Sequence, residues 1–439
     1  MKKSIYRILF LLLSVSASVK AETWTLQQCI EHARENNLNL KIQRNMELKS
    51  EYDLRQSKWK LAPSINGYGS SDMNFQRGTN QYNQITSGTS YYVSYGISAS
   101  LDIFAGFTKL NTVAAYRFSK LATSESTELS EILLEMEITD IYARTLYQKA
   151  LINVAEARLE TSRFEAERIA ATIEAGQMEA VAQNEFNAIV SANLFEYNRA
   201  TNDYLLLKLQ LAQTIELPSY SDFEIADVMF EFTPSGEMLN SDSLYIETCM
   251  HYPSVLQKEY ELEYYRKMLQ IAKGNHSPSI TASGGYSSNF FSTDTLDNGK
   301  QTPFGTQYNN FLNPSLGASI SIPIFNGKAR TYQTKKSRID IENAMYSLEE
   351  QKKQIRKEIE EAVLKLHLLK LEYESANDNL KFTEESFEVY REKYRLGMIN
   401  TTDFMTAQNQ LSQAQVNLLL ARYSWAIQKK TIDLYSIRN

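Results

Sequence analysis

The sequence is poor in the residue types that build catalytic and metal sites. It has 439 residues, of which only two are cysteines and four are histidines. The histidines, His32, His251, His276 and His367, are scattered without metal-ligand spacing. Neither a catalytic triad nor a phosphate-binding glycine loop can be recognised. We therefore predict that the protein is not an enzyme and that it needs no metal or cofactor.

The two cysteines give no disulfide framework. Cys29 and Cys249 fall in non-equivalent places, and neither has a CxxC neighbour. We expect both to be small, buried or half-buried side chains. A disulfide between them is the less favoured alternative.

Long hydrophobic runs are also missing. The apolar run at 8–15 follows three basic residues, precedes small residues at the expected cleavage positions, and is shorter than the ~20 residues that span a bilayer. This pattern predicts a secretory signal peptide at 1–21 and a mature chain from Glu22. The expected product is exported without a transmembrane helix, which leaves a secreted, a periplasmic or a β-barrel membrane protein.

Basic residues are fewer than acidic ones. Without 1–21, 42 Lys and Arg stand against 52 Asp and Glu, so the formal charge is −10, compared with −6 for the whole chain. An acidic chain is a poor candidate for nucleic-acid binding. We expect no nucleic-acid partner.

What the sequence does contain is an internal duplication. The segment GISASLDIFAG at 96–106 returns as GASISIPIFNG at 317–327, which places Phe104 and Phe325 221 residues apart. In both copies a glycine follows 72 residues after the phenylalanine. Such a constant spacing indicates a rigid helix, because one inserted residue would rotate its packed face by ~100°. The predicted segments are a first repeat at 22–217, a linker at 218–243 and a second repeat at 244–439.

Each repeat is predicted to contain a long helix. The stretches at about 107–173 and 329–395 lack proline, and their apolar residues recur every three or four positions, which is typical of coiled-coil packing. Each would be ~100 Å long at 1.5 Å per residue. The long helices end near Gly176 and Gly397. Return helices are predicted at about 180–217 and 401–437.

Period-two alternation predicts two strands in each repeat. The predicted strands are at about 64–75, 90–103, 277–291 and 313–324. One face of these strands is apolar and aromatic, and the other carries Ser, Gly and Asn. Alternation alone favours a soluble sheet, whereas the strand length, the flanking tyrosines and the small polar face favour a membrane barrel. Four strands cannot close a barrel, so a barrel would need several copies, and three copies would supply twelve strands.

Together these features resemble the TolC-like outer membrane efflux protein family over essentially the whole mature sequence. The resemblance is carried by the helix from Leu26 that ends in LAPSI, the ISASLDIFAG and ASISIPIFNG junctions, and YRLGMINTTDFMTAQNQLSQAQ at 394–415. It implies a mainly α homotrimer with a twelve-stranded transmembrane β-barrel that continues into a periplasmic α-helical coiled-coil tunnel. It also implies a Gram-negative outer membrane exit channel of a tripartite efflux pump or type I secretion system. The implied partners are outer membrane lipid, a periplasmic adaptor and an inner-membrane transporter.

The resemblance assigns adaptor docking to the tips of the two helical hairpins. The tip residues are Gly176, Gln177, Met178, Gly397, Met398 and Ile399. Another interpretation is that both glycines only adopt the left-handed conformation that ends a helix. The two interpretations are compatible.

The resemblance also predicts a gate beyond the second glycine. Asp403 matches the first of two family aspartates, Thr406 replaces the second, and Tyr394 matches a position near the aperture. Threefold symmetry would turn Asp403 into a ring of carboxylates that attracts cations. The alternative is an ordinary first-turn carboxylate that the helix dipole favours, with Thr401 or Thr402 as the cap.

The alternative function is a soluble periplasmic coiled-coil adaptor. It explains the long helices and the glycine turns but leaves the four amphipathic strands without a role. The exported substrate, whether drug, metal ion or protein, cannot be read from the sequence.

Overall fold

The computed structural model describes residues 22–79, 85–176, 179, 181–221, 223–226, 239–294, 296 and 300–436. The predicted signal peptide at 1–21 lies outside the described residues. The elements are β1 (Glu22–Trp24), α1 (Leu26–Asn36), α2 (Leu38–Trp59), β2 (Ser64–Thr79), β3 (Ile85–Ala105), α3 (Thr108–Glu174), α4 (Val181–Thr214), β4 (Phe223–Ile225), α5 (Ser241–His251), α6 (Pro253–Gly274), β5 (Ser279–Phe291), α7 (Phe304–Asn310), β6 (Asn313–Ser321), α8 (Ala329–Arg395) and α9 (Thr401–Asp433).

Three pairs of matched helices in the two halves have equal lengths. Helices α1 and α5 have 11 residues each, α2 and α6 have 22, and α3 and α8 have 67. The first two pairs are offset by 215 residues and the third by 221, judged from their first residues. The offset of the third pair is the one between the two repeated sequence segments, so the duplication extends to the bounds of these helices.

Several elements differ from the sequence-based expectations. The expected first helix is divided at Asn37, whose backbone leaves the helical region. Strand β6 ends at Ser321 rather than 324, because Pro323 has no N–H to donate to a strand ladder. The return helices end at Thr214 and Asp433, before the predicted 217 and 437. Strands β1 and β4 and helix α7 were not predicted.

The chain divides into two compact units, and neither coincides with a sequence repeat. The first unit consists of three segments: the chain up to Asn45, Ser126–Val255, and the chain from Lys352 onward. In it β1 pairs in parallel with β4. The fully buried Tyr142 places its hydroxyl 3.1 Å from the Trp24 carbonyl oxygen and 2.9 Å from that of Ala226. Each unit thus combines segments of both repeats.

The second unit, Met46–Glu125 and Leu256–Gln351, contains an antiparallel sheet of order β2-β3-β5-β6. The β2–β3 ladder runs from the Ser64↔Ser100 pair to the Thr79↔Ile85 pair, and β2 and β6 form the two edges. The apolar face of the sheet is largely exposed within this unit. Its exposed apolar side chains include Ile65, Ile97, Leu316 and Ile320.

Neither a membrane helix nor a metal cluster is found in the part of the chain that the structure describes. No helix there is both long and apolar enough to cross a membrane. No three His, Cys, Asp or Glu residues among the described ones come together to hold a metal ion. The thiols of Cys29, which is buried, and Cys249, which is half-buried, are free.

Candidate functional site

The second glycine turn ends α8 with a complete C-terminal cap. Gly397 has a φ of 71°, in the left-handed region. Its N–H donates to the Tyr394 carbonyl at 3.0 Å, and the Met398 N–H donates to the Lys393 carbonyl at 2.9 Å. This is the Schellman pattern, which satisfies the last carbonyls of a helix. A Cβ at Gly397 would meet no atom within 4 Å in the described part of the chain, so the backbone angle alone calls for glycine here.

The first glycine turn has a closely similar backbone. Gly176 has a φ of 72°, and its N–H donates to the Ile173 carbonyl at 2.9 Å. A Cβ at Gly176 would also meet no atom of the described residues within 4 Å. Gln177 and Met178, which the sequence assigns to the same docking tip, lie outside the described residues. Among the described residues of the first unit, the space above both turn glycines is open.

Exposed apolar side chains surround the two turns. Met398 is 68% exposed, and Leu396 and Val181 are exposed to a similar degree. Ile399 is half-buried and packs against the cluster around Tyr394. Of the predicted tip residues that the structure describes, Gly176, Gly397 and Met398 are accessible and Ile399 is only partly so.

Tyr394 lies in a small hydrophobic core that joins α8 to α9. Its ring stacks almost parallel on the Phe404 ring, with centroids 4.4 Å apart, and is 8% exposed. Phe387 packs on the same Phe404 ring at 5.8 Å, and Met405 completes the buried cluster. The Tyr394 hydroxyl lies 3.3 Å from the Thr401 hydroxyl. Tyr394 therefore holds the second hairpin together.

Arg168 of α3 reaches the same ring from the first repeat. Its guanidinium carbon lies 4.6 Å from the Tyr394 ring centre, within cation–π range. Its Nε donates to a carboxylate oxygen of Glu165 at 2.9 Å. Burial alone would lower the pKa of Arg168, but Glu165 and Tyr394 together raise it above its ordinary value. The contact joins a helix of the first repeat to the turn of the second.

Two of the predicted gate residues, Asp403 and Thr406, lie at the start of α9. The cap is Asn400, whose side-chain oxygen accepts the Asp403 N–H at 2.8 Å. The predicted cap at Thr401 or Thr402 is wrong, because both already belong to the helix whereas Asn400 has an extended backbone. Asp403 is exposed in the first turn, where the helix dipole favours a carboxylate. Thr406 is exposed one turn later, and its hydroxyl donates to the Thr402 carbonyl at 2.8 Å.

The predicted gate residues thus fall into two groups. Asp403 and Thr406 are both exposed near the start of α9, whereas Tyr394 packs on the buried Phe404. Phe404 and Arg168 were not among the residues predicted from the sequence. Phe404 could have been found as the first apolar residue after the cap. Nothing in the sequence separates Arg168 from the other charged residues of α3.

Part of the chain is similar to a known protein family. Residues 245–436 match the model of the outer membrane efflux protein family. No curated protein is similar enough in sequence to give a match.

Solved structures similar to this chain include CusC, CmeC of Campylobacter jejuni and VceC of Vibrio cholerae. CusC has a TM-score of 0.79 at 18% identity and covers 94% of this chain and 92% of its own. CmeC, an outer membrane channel, has a TM-score of 0.81 at 14% identity, and the match covers 93% of this chain and 85% of CmeC. VceC, an outer membrane protein, has a TM-score of 0.78 at 15% identity, with 93% and 94% covered. Residues 245–436 are thus similar to the outer membrane efflux protein family, and the chain as described has the fold of these solved proteins.

Proposed function

We propose that three copies of this protein form a passive exit channel in the outer membrane of a Gram-negative cell. The channel would serve a tripartite efflux pump or a type I secretion system, in which an inner-membrane transporter supplies the energy. The observation that carries the proposal is the four-stranded sheet with an exposed apolar face, in one chain with two 67-residue helices.

The apolar face of the sheet needs a partner that is itself apolar. Leu316 is 92% exposed, and Ile65 and Ile320 are exposed on the same side. Leaving such a patch in water costs ~25 cal/mol for each Å². The opposite face carries serines and glycines such as Ser98, Gly317 and Ser319, which suit a water-filled lumen. A lipid layer on one side and an aqueous channel on the other satisfies both faces.

The two free edges of the sheet support a ring of copies. Strands β2 and β6 are the two edges of the described sheet, and long exposed edges favour pairing with another chain. The β3–β5 ladder joins the second strand of repeat one to the first strand of repeat two. The equivalent ladder would join β6 to β2 of the next copy. Three copies would close a twelve-stranded barrel.

The two turns are the proposed docking surface for the periplasmic adaptor. The open space above Gly176 and Gly397 and the exposed Met398 support this role. In the trimer Asp403 would form a ring of three carboxylates at the aperture, with Thr406 beside it. Tyr394 would act as a positioning residue that holds the α8–α9 turn.

Membrane insertion and conductance test the proposal. We expect the mature protein in the outer membrane fraction and ion-conducting channels in planar bilayers. Leu316→Arg should prevent insertion, because a cation on the lipid face costs ~2–4 kcal/mol at the midplane. Ser319→Arg, on the opposite face, is the matched control and should insert normally. Recovery of the wild-type protein in the soluble periplasm would reject the channel in favour of the soluble adaptor.

Crosslinking tests the docking surface. Cysteines placed at Gln177 or Met398 should capture a periplasmic adaptor in cells that express the whole pump. A cysteine at Asp378, which is exposed on α8 about five turns before Gly397, is the control and should not capture it. Equal capture at Asp378 would contradict docking at the tips.

A further inference from the structure

Helix α7 lies against the apolar face of the sheet. The Tyr95 ring of β3 stacks on Tyr308 at 6.2 Å with an interplanar angle of 4°, and on Phe304 at 5.7 Å. Phe290 of β5 packs on the same Phe304 ring at 5.9 Å. These contacts form an aromatic group, the α7 cluster, of Tyr95, Phe290, Phe304 and Tyr308.

Buried hydrogen bonds fix α7 to the sheet. Gln307 is fully buried; its side-chain amide donates to the carbonyls of Phe291 and Thr302, and its side-chain oxygen accepts the Phe291 N–H at 2.8 Å. The Ser288 hydroxyl donates to the Tyr308 carbonyl at 3.0 Å. Even so, Phe304 remains 56% exposed, and Tyr308 is also exposed. The helix is therefore a fixed platform that presents aromatic rings outward.

A second aromatic group lies at the other end of the strands. Phe104 and Phe107 contact edge to face at 5.4 Å. Phe107, Phe325 and Trp59 are all exposed there. Between the two groups the same face exposes the aliphatic Ile97 and Leu316, with Tyr286 beside Ile97 at the end nearer the α7 cluster. Aromatic rings thus lie at both ends of this face, with aliphatic side chains between them.

The separation of the two groups fits the apolar layer of an outer membrane. Tyr95 and Phe104 are nine residues apart on β3, which is ~30 Å along a strand. A strand tilt of ~40° reduces this to ~23 Å along the membrane normal, close to the ~25 Å apolar band of outer membrane barrels. Aromatic residues flank that band at both membrane interfaces.

We propose that the α7 cluster lies in the lipid headgroup layer of the outer leaflet, so that α7 marks the outer boundary of the membrane. This inference rests on the proposed outer membrane channel. The β2–β3 hairpin supports it, since β5 pairing ends at Tyr92↔Phe291 whereas the hairpin continues to Thr79↔Ile85. The polar run SGTS at 87–90 lies in that extension, where water would surround it.

Depth-dependent quenching tests the inference. The fluorophore NBD is attached to single cysteines at Phe304, Leu316 or Ser87 of the full chain, in a Cys249→Ala background, with the weak labelling of buried Cys29 subtracted. The proteins are reconstituted in vesicles that carry a nitroxide either at the headgroup or at the middle of the acyl chain. The Phe304 label should lose more fluorescence to the headgroup nitroxide. The Leu316 label should lose more to the mid-chain nitroxide, and the Ser87 label should lose little to either.

The outcomes separate this inference from the proposed function. If the Leu316 label is quenched by neither nitroxide, the sheet is not in lipid and the channel itself is rejected. If Leu316 is quenched from the acyl chain but the Phe304 label is quenched by neither or more by the mid-chain nitroxide, only the placement of α7 is rejected. Thr306→Cys, at another exposed position of α7, replaces Phe304→Cys if that variant does not assemble.

Discussion

The guanidinium of Arg168 lies 4.6 Å from the centre of the Tyr394 ring, which also stacks on Phe404. We expect Arg168→Met to lower the free energy of unfolding by ~0.5–1 kcal/mol, the usual contribution of an accessible cation–π contact. Arg168→Lys should lower the free energy of unfolding by less, because lysine keeps the positive charge. Urea unfolding of the detergent-solubilised protein, followed by circular dichroism, measures the change.

The matched control for this contact is Arg163→Met, which removes an exposed arginine five residues earlier on α3. Double-mutant cycles that combine Arg168→Met with Tyr394→Phe or with Tyr394→Leu measure how much of the effect depends on the aromatic ring. Tyr394→Phe keeps the ring and Tyr394→Leu removes it. If Arg168→Met is equally destabilising in the Tyr394→Leu background, the effect does not pass through the aromatic ring.

Asp403→Asn separates the gate from the helix cap, because the variant removes the charge but keeps the size. A ring of three carboxylates attracts cations, so its loss should weaken block by divalent cations and raise single-channel conductance in planar bilayers. The accompanying loss of helix stability should be only ~0.3–1 kcal/mol.

Asp340→Asn, which neutralises an exposed carboxylate elsewhere on α8, is the control for net charge. It should leave cation block unchanged. If the Asp403→Asn channel has the cation block and the conductance of the wild type, Asp403 is not part of the gate. It is then only a first-turn carboxylate that the helix dipole favours.

Gly397 is required for its backbone angle and not for space. Gly397→Ala should therefore destabilise the turn by ~1–2 kcal/mol, the cost of a left-handed conformation with a Cβ, and Gly397→Asn should cost less. Urea unfolding measures both variants. Gly69→Ala, which also meets open space but has no positive φ, should change stability less than Gly397→Ala does. Equal losses for Ala and Asn at Gly397 would point to a cause other than φ.

The long helices could be predicted closely because two independent signals agree on them. Apolar residues recur over many turns, and a left-handed glycine follows each helix, so the observed Ala329–Arg395 has the predicted bounds and Thr108–Glu174 differs by one residue. The strands β1 and β4 could not be predicted, because three residues are too few to show an alternating pattern. They also pair with each other across 201 positions of the sequence. Helix α7 has the polar sequence FGTQYNN and depends on contacts with β3 and β5.

The candidate site was predictable only along the chain. A turn glycine and a first-turn carboxylate can be located by spacing. The contact of Arg168 with Tyr394 cannot, because it depends on which of the many charged residues of α3 faces the second hairpin. The cap of α9 could not be predicted from the sequence either, because Asn400, Thr401 and Thr402 are all residue types that commonly cap helices.

Cys29 should be the less reactive of the two thiols. Burial raises its pKa to about 12, whereas Cys249 is only half-buried. Iodoacetamide at pH 8.5 should therefore modify Cys249 first and Cys29 only after urea is added, as peptide mass spectrometry can show. Because the folded pKa is raised, the stability from this thiol is complete below pH ~8.5 and is lost as the pH rises toward 12. Rapid modification of Cys29 in the folded protein would contradict its burial.

The proposed ladder between copies has a definite register. Within the chain Ser98 pairs with Gly285. Adding 221 to the first position and subtracting 215 from the second, the offsets of the two repeats, gives Ser319 of one copy opposite Ser70 of the next. A Ser70→Cys/Ser319→Cys variant in the Cys249→Ala background should form covalent trimers with a short thiol-reactive linker, visible as a reducible band in denaturing gels. Asp72→Cys/Ser319→Cys, displaced by two residues on the same face, should crosslink less. Efficient crosslinking of the displaced pair alone would show that the copies meet in a different register.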